Sequence, residues 1–280
     1  MVTTLSATMM SIATLTFPHI DPVMFSVGPF AVRWYAMAYI VGLIFGMWYM
    51  KRLVSTPGLW AGTTPSATPQ QIDDLFLWAM LGVVLGGRLG YVIFYGTAQT
   101  LSDPLSIFRT WEGGMSFHGG FFGVILACYL FGKRHDIGLD RLLDLGAAAT
   151  PVGLGLGRLA NFVNGELYGR VTDVPWAFVF PQGGAAPRHP SQLYEFALEG
   201  VFLFVVINIA VFRFKILTKP GRAAGIYAVT YAGSRIMVEF VREPDAQLGF
   251  FGGFITMGMI LSLPLIAIGV WLLLRSRTPR

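Results

Sequence analysis

An all-α integral membrane protein of about seven transmembrane helices, N-terminus outside and C-terminus cytoplasmic, is the fold class this sequence predicts. Hydrophobic residues make up 54% of the 280 positions and charged ones only 12%. The mean hydropathy is +0.62. Apolar stretches of about 20 residues, the length that crosses a hydrocarbon core of about 30 Å, recur along the chain. An average soluble domain carries about a quarter charged residues. Twenty basic and 15 acidic side chains cannot coat a globule of this size. A disordered chain, a nucleic-acid-binding arm and an ordinary soluble enzyme are excluded on the same grounds.

Residues 1–30 hold no Lys or Arg, so no charged leader region precedes a secretory signal. Phe17–Phe30, with Pro18, Pro22 and Pro29, reads as a loop or short interfacial piece. The seven spans are then Ala31–Met50, Leu75–Tyr95, Ser116–Phe131, Leu142–Phe162, Leu193–Phe212, Ala223–Val241 and Phe254–Leu274. The third is short and Pro151 interrupts the fourth. They form one polytopic membrane domain over residues 1–280, with outer loops near 96–115 and 165–190 and no internal repeat.

Orientation comes from the basic residues. Alternating the connections puts twelve on one side, from Lys51 and Arg52 through Lys133, Arg134 and Arg213 to Arg275, Arg277 and Arg280. The other side holds at most five: Arg33, Arg109, Arg170, Arg188 and Arg242. The crowded side is cytoplasmic, so the net charge of +5 is an orientation signal and implies no nucleic-acid partner. Arg88, Arg158 and Arg235 remain inside spans, where each costs roughly 2.5–3.5 kcal/mol on insertion scales. Arg235 has Glu239 one turn along its own helix face. Arg158 is followed by Asn161, Asn164 and Glu166, and Arg88 stands alone.

Glycines at 82, 86 and 90, at 42 and 46, and at 153 and 157 have the spacing that lets apolar helices pack closely. Gly153–Gly157 lacks the preceding strand and spacing of a nucleotide loop. Cys128, the sole cysteine, lies within an apolar run and supports neither a disulfide nor a zinc site.

With this topology, Tyr35, Arg88, His118, Arg158, Asn161, Asn164, Glu166, His189, Arg235 and Glu239 all fall at the outer membrane level. On an ideal helix Arg158, Asn161, Glu166 and Gly169 share one arc, and Asn164 lies off it. Arginines with carboxylates and amides at a lipid–water boundary suit a phosphate headgroup, because guanidinium holds phosphate bidentately. His118, flanked by Gly113, Gly114, Gly119 and Gly120, is a candidate general base with glycines clearing space around its ring. His189 fits either a helix-start hydrogen bonder or a substrate contact. His19 and His135 read as surface loop residues, and no spacing suggests a metal.

The run Gly157-Arg158-Leu159-Ala160-Asn161-Phe162-Val163-Asn164-Gly165-Glu166-Leu167-Tyr168-Gly169 resembles the signature of bacterial prolipoprotein diacylglyceryl transferases. Gly113–Gly120, Arg188–Glu195 and Arg235–Asp245 resemble it too, in order and on matching spans. Ala160 departs from the glycine more usual in the family. The resemblance implies a bacterial inner-membrane enzyme, active toward the outer leaflet, that moves the diacylglyceryl group of phosphatidylglycerol to a lipobox cysteine of a prolipoprotein. It ties Tyr35, His118, Arg158, Asn161, Glu166, Gly169, Arg235 and Glu239 to activity.

Displacement at an sp³ carbon requires a thiolate and a held phosphate leaving group. His118 is then the base, Arg158 and Arg235 grip phosphate, and Glu166 and Glu239 orient them. Tyr35 and Asn161 bind the headgroup, with Arg88, Asn164, Gly169 and His189 as further substrate contacts. No cofactor is needed. A polar-lipid transporter or flippase is the rival class, yet neither inverted repeats nor midplane charges are present. A serine protease lacks a nucleophile setting around Ser116 or Ser191.

Overall fold

The computed structural model describes residues 15–18, 20–28, 30–61, 63–96, 102–110, 113–244 and 249–276. His19, Arg277, Arg280, Asp245 and part of the predicted loop at 96–115 lie outside them. Among the described residues, seven long helices fall on the seven predicted stretches: α1 Trp34–Val54, α2 Pro69–Phe94, α3 Phe117–Arg134, α4 Leu139–Val163, α5 Ser191–Phe214, α6 Arg222–Glu239 and α7 Met257–Arg275. Four of them, α1, α2, α5 and α7, are long and apolar enough to cross a membrane by length and composition.

Two expectations need correction, and a third gains detail. Phe17–Phe30 is not simply a loop: β2 (Val23–Val27) and β3 (Phe30–Arg33) pair antiparallel. Alternation of β-formers around Gly28 (φ +59°) makes this hairpin, so α1 begins at Trp34 rather than Ala31. Pro151 lies inside an unbroken α4 and costs it one ladder hydrogen bond. The connection at 165–190 is ordered: β1 (Leu15–Thr16) pairs parallel with β4 (Phe178–Val179). Phe17, Phe162, Phe178 and fully buried Phe180 stack beneath it at centroid distances of 5.2–6.1 Å.

Local signals explain the helix ends. Thr68 and Gln71 form a reciprocal capping box ahead of Pro69 (Thr68 N to Gln71 Oε1, 2.8 Å; Gln71 N to Thr68 Oγ1, 3.2 Å). The Ser116 hydroxyl accepts from Gly119 N at 3.2 Å and caps α3. Asp144, buried in α4, accepts from Gly221 N (2.7 Å) and Ala224 N (2.8 Å) and so caps the start of α6 from a neighbouring helix.

The chain divides into two compact units. One comprises Met1–Gly42, Val152–Leu203 and Thr230–Ile266; the other comprises Leu43–Pro151, Phe204–Val229 and Ala267–Arg280. In the second, α2 and α3 pack backbone to backbone. A Cβ on Gly82 would lie 2.6 Å from the Gly123 carbonyl oxygen, one on Gly90 would lie 2.8 Å from Gly119 Cα, and one on Gly86 would overlap the Gly119 carbonyl. Gly86→Leu is therefore expected to destabilise the protein by about 1–3 kcal/mol through overpacking. Gly146→Ala, with nothing within 4 Å of the added methyl, is expected to be neutral or stabilising. Thermal unfolding in detergent checks both, and equal melting of the two variants would refute the packing role.

Candidate active site

The first unit holds a buried ion network. Arg158, near the end of α4, sets Nε 2.6 Å from Glu195 Oε2 and donates from Nη2 to Glu199 Oε2 at 3.0 Å. Arg235 on α6 places Nη2 2.6 Å from Glu239 Oε1, the predicted i,i+4 pair. Its Nη1 stands 3.5 Å and 3.9 Å from Glu195 Oε1 and Glu199 Oε1. Arg242 closes the network, 3.6 Å from Glu195 and 3.4 Å from Glu239. Three guanidiniums and three carboxylates are thus gathered from α4, α5 and the end of α6. Charges so far from water persist only when paired, because removing one partner leaves the other uncompensated.

Close helix contact creates this geometry. A Cβ on Gly200 would lie 2.8 Å from Gly155 Cα, so α4 and α5 touch at backbone level beside Glu199 and one turn before Arg158. Here α5 widens into a π-helical stretch, Phe196–Phe202, a feature frequent at functional sites. Neither Glu195 nor Glu199 was among the candidates read from sequence, and neither was Arg242. The signal was there: two acidic residues four apart in an apolar span, open to the same test as the three arginines.

Glu166 does not orient Arg158 as expected. Helix α4 ends at Val163 in a Schellman motif, with Gly165 at φ +67°, Gly165 N bonded to Phe162 O (2.9 Å) and Glu166 N to Asn161 O (3.1 Å). Beyond that point the helical arc does not apply. Asn164, expected off the face, joins Asn161 in donating to Glu166 Oε1 at 3.1 and 2.9 Å. Ser191 and Gln192 donate to the carbonyls of Leu167 (2.8 Å) and Glu166 (2.6 Å), which fixes this turn against the start of α5.

Gly169 and His189 close the same loop rather than line an open space. A Cβ on Gly169 would meet Val241 O at 2.5 Å and His189 Cβ at 2.7 Å. Gly169 N bonds His189 O (2.8 Å), and Arg170 donates to the carbonyls of Glu239 and Arg242 (2.8 and 2.9 Å). His189 Nδ1 lies 3.2 Å from the Tyr194 hydroxyl. Burial and the nearby Arg170 charge push the imidazole below its ordinary range, which favours the neutral ring. Tyr35, in the first turn of α1, shares a 3.2 Å hydroxyl contact with Tyr39.

In the second unit, Arg88, expected from sequence as a substrate contact, anchors a loop. It is only 8% exposed. Its guanidinium donates to the carbonyls of Ile107 (2.9 Å), Gly113 (2.6 Å), Gly114 (3.0 Å) and Ser106. Gly113 and Gly114, at φ +86° and +77°, turn these carbonyls toward it, while Gly119 packs against Gly86 and Gly90. Gly114 and Gly119 are thereby required by the backbone, since a Cβ on either would run into Arg88 and Tyr91 or into Gly86 and Gly90. His118 itself is exposed in the first turn of α3, its ring 5.5 Å from that of Phe117.

Comparison with known proteins settles the family. Residues 22–275 match the family model described as prolipoprotein diacylglyceryl transferase. The chain belongs to the prolipoprotein diacylglyceryl transferase family. Relatives of this transferase named phosphatidylglycerol–prolipoprotein diacylglyceryl transferase include the protein of Brucella anthropi, 53% identical over 270 residues and 96% of each chain. That of Sinorhizobium medicae is 52% identical over 268 residues, covering 95% of this chain and 96% of its own. That of Brucella ovis is 52% identical over 270 residues, 96% of each.

Proposed function

We propose that the protein transfers the sn-1,2-diacylglyceryl group of phosphatidylglycerol to the lipobox cysteine of prolipoproteins, the first step of bacterial lipoprotein maturation. The observation that carries this reading is the match to transferases of that name over 96% of the chain. The buried arginine–glutamate network supports it, because fixed guanidiniums are what a phosphodiester substrate demands.

In the reaction, the lipobox sulfur attacks the glycerol carbon that carries the phosphate ester. The C–S bond forms, the C–O bond breaks, and glycerol-1-phosphate departs with the electron pair. The thiol proton passes to His118, a role that rests on its motif, and leaves to solvent or product. Arg158 and Arg235 hold the phosphate as its charge grows. Tyr35, Asn161 and Glu166 bind the glycerol headgroup, and Glu239 fixes Arg235. Gly169, Asn164 and His189 act by shaping the loop. No electrons change hands, so the displacement needs no redox cofactor.

All seven helices cross the inner membrane in this reading, as one domain over 1–280 with the N-terminus outside and the site toward the outer leaflet. Basic residues in the last turn of α1, α3, α5 and α7 favour a cytoplasmic end for each. In a Cys128→Ala background, Ala185→Cys is expected to react with an impermeant thiol reagent in intact cells, and Ser276→Cys only after lysis. The reverse pattern would invert the topology. For the reaction, purified protein given phosphatidylglycerol labelled in its acyl chains should transfer label to a lipobox peptide. No transfer by a folded, lipid-binding preparation would overturn the reading.

A further inference from the structure

Glu199 is the most deeply buried charge in the ion network, its side chain 0% exposed, and the reaction outlined above gives it no task. One of its oxygens accepts from Arg158 Nη2 at 3.0 Å and the other lies 3.9 Å from Arg235 Nη1. Glu195, one turn earlier and 1% exposed, repeats the pattern: Oε2 lies 2.6 Å from Arg158 Nε and Oε1 3.5 Å from Arg235 Nη1. Both carboxylates bridge the same two arginines.

The consequence is clearest at Arg158. A guanidinium offers two edges that can grip an anion with paired donors, Nε/Nη2 and Nη1/Nη2. Glu195 Oε2 stands 2.6 Å from Nε as an ion pair, and Nη2 donates to Glu199 Oε2 at 3.0 Å; both contacts fall on the Nε and Nη2 side of the guanidinium. One edge is held by the protein, and the other keeps its donors. The Gly155–Gly200 contact fixes the backbone on both sides of this grip, and Glu199 lies within the π-helical stretch.

We propose that Glu199 is a positioning residue that holds Arg158 by its Nε/Nη2 edge, so that the Nη1/Nη2 edge is presented ready-oriented to the phosphodiester of the bound lipid. This rests on the reading of Arg158 as a phosphate grip. The charge balance makes the role distinguishable from simple support. Three guanidiniums and three carboxylates sum to no net charge, so an incoming phosphodiester anion is held by directed hydrogen bonds rather than by net attraction. Removing the Glu199 charge leaves the network at +1. Attraction for an anion then rises while the orientation of Arg158 is lost, two effects of opposite sign on substrate binding and on turnover.

The test is Glu199→Gln, which keeps the shape and removes the charge, assayed as full-length enzyme in vesicles of fixed phosphatidylglycerol content. The expected result is a fall in kcat of roughly ten- to a hundredfold, the range seen when an outer-layer partner of a reactive group is lost, with KM for phosphatidylglycerol unchanged or lowered. Glu199→Asp, which restores the charge, is expected to recover much of kcat at the wild-type KM. Wild-type kcat in Glu199→Gln, or a raised KM in both variants, would overturn the proposal. If Glu199→Gln does not accumulate as folded protein, Glu199→Asp decides alone. Its shorter arm withdraws the carboxylate from Arg158 without removing the charge, so a partial loss of kcat, less than about tenfold, at unchanged KM supports the proposal; kcat equal to wild type, or a raised KM, ends it. Arg158→Lys measured in parallel separates the two levels. If that variant keeps the wild-type rate, the phosphate-grip reading falls and takes this inference with it. If Arg158→Lys is inactive while Glu199→Gln is normal, only the inference about Glu199 falls.

Discussion

Replacing Arg158 by lysine is expected to lower diacylglyceryl transfer by about 10²–10³-fold, the loss seen when one donor to a developing oxyanion is removed. That corresponds to about 3–4 kcal/mol of transition-state stabilisation. Lysine keeps the charge, so the effect isolates geometry. A guanidinium meets Glu195 through Nε and Glu199 through Nη2 and still has donors on its other edge. An ammonium is a compact point charge and cannot hold two carboxylates and a phosphate in one plane. It would settle on the carboxylates and leave the substrate without its fork. Single-turnover transfer measured beside phosphatidylglycerol binding checks this, and a rate within about threefold of wild type would remove Arg158 from the phosphate contact.

His118→Gln is expected to slow turnover at neutral pH by about 10²–10⁴-fold, the usual contribution of a positioned base, while phosphatidylglycerol binding persists. The pH dependence carries the diagnosis. A free cysteine thiol ionises near 8.5. Below that pH the attacking sulfur needs a base, and above it the thiolate forms unaided. The defect of the variant should therefore shrink as pH rises from about 7 to about 9.5. A defect constant across that range would mean that His118 positions substrate and does not move the proton.

Much of this was legible in the sequence, and the gaps have definite causes. Hydropathy located the seven long helices of the described residues, four of which are long and apolar enough to cross a membrane, because crossing a hydrocarbon core demands continuous apolar length. The Arg235–Glu239 pair was legible because i,i+4 spacing puts two side chains on one face. The loop-anchoring contacts of Arg88 were not legible because its partners are the carbonyls of Ser106, Ile107, Gly113 and Gly114, and main-chain acceptors leave no trace in residue identity. Asn164 was set on the wrong face because helical angles were carried past Val163, although Asn164-Gly165 is itself a helix-stop signal. Glu195 and Glu199 left no such local trace of their pairing, because their arginine partners lie on α4 and α6 and not one turn away on their own helix. The widened stretch Phe196–Phe202, which contains Glu199, lies where α5 meets α4 at backbone level, and no local pattern reveals it.

The ion network also has a schedule. Arg158 is synthesised 41 residues before the carboxylate of Glu199 that neutralises it. At a translation rate of about 5–20 residues per second, the nascent chain carries that arginine without its partner for several seconds. Arg235 comes later still, when Glu195 and Glu199 are already waiting. A chain arrested between α4 and α5 would carry Arg158 without either of the carboxylates that pair with it in the finished fold.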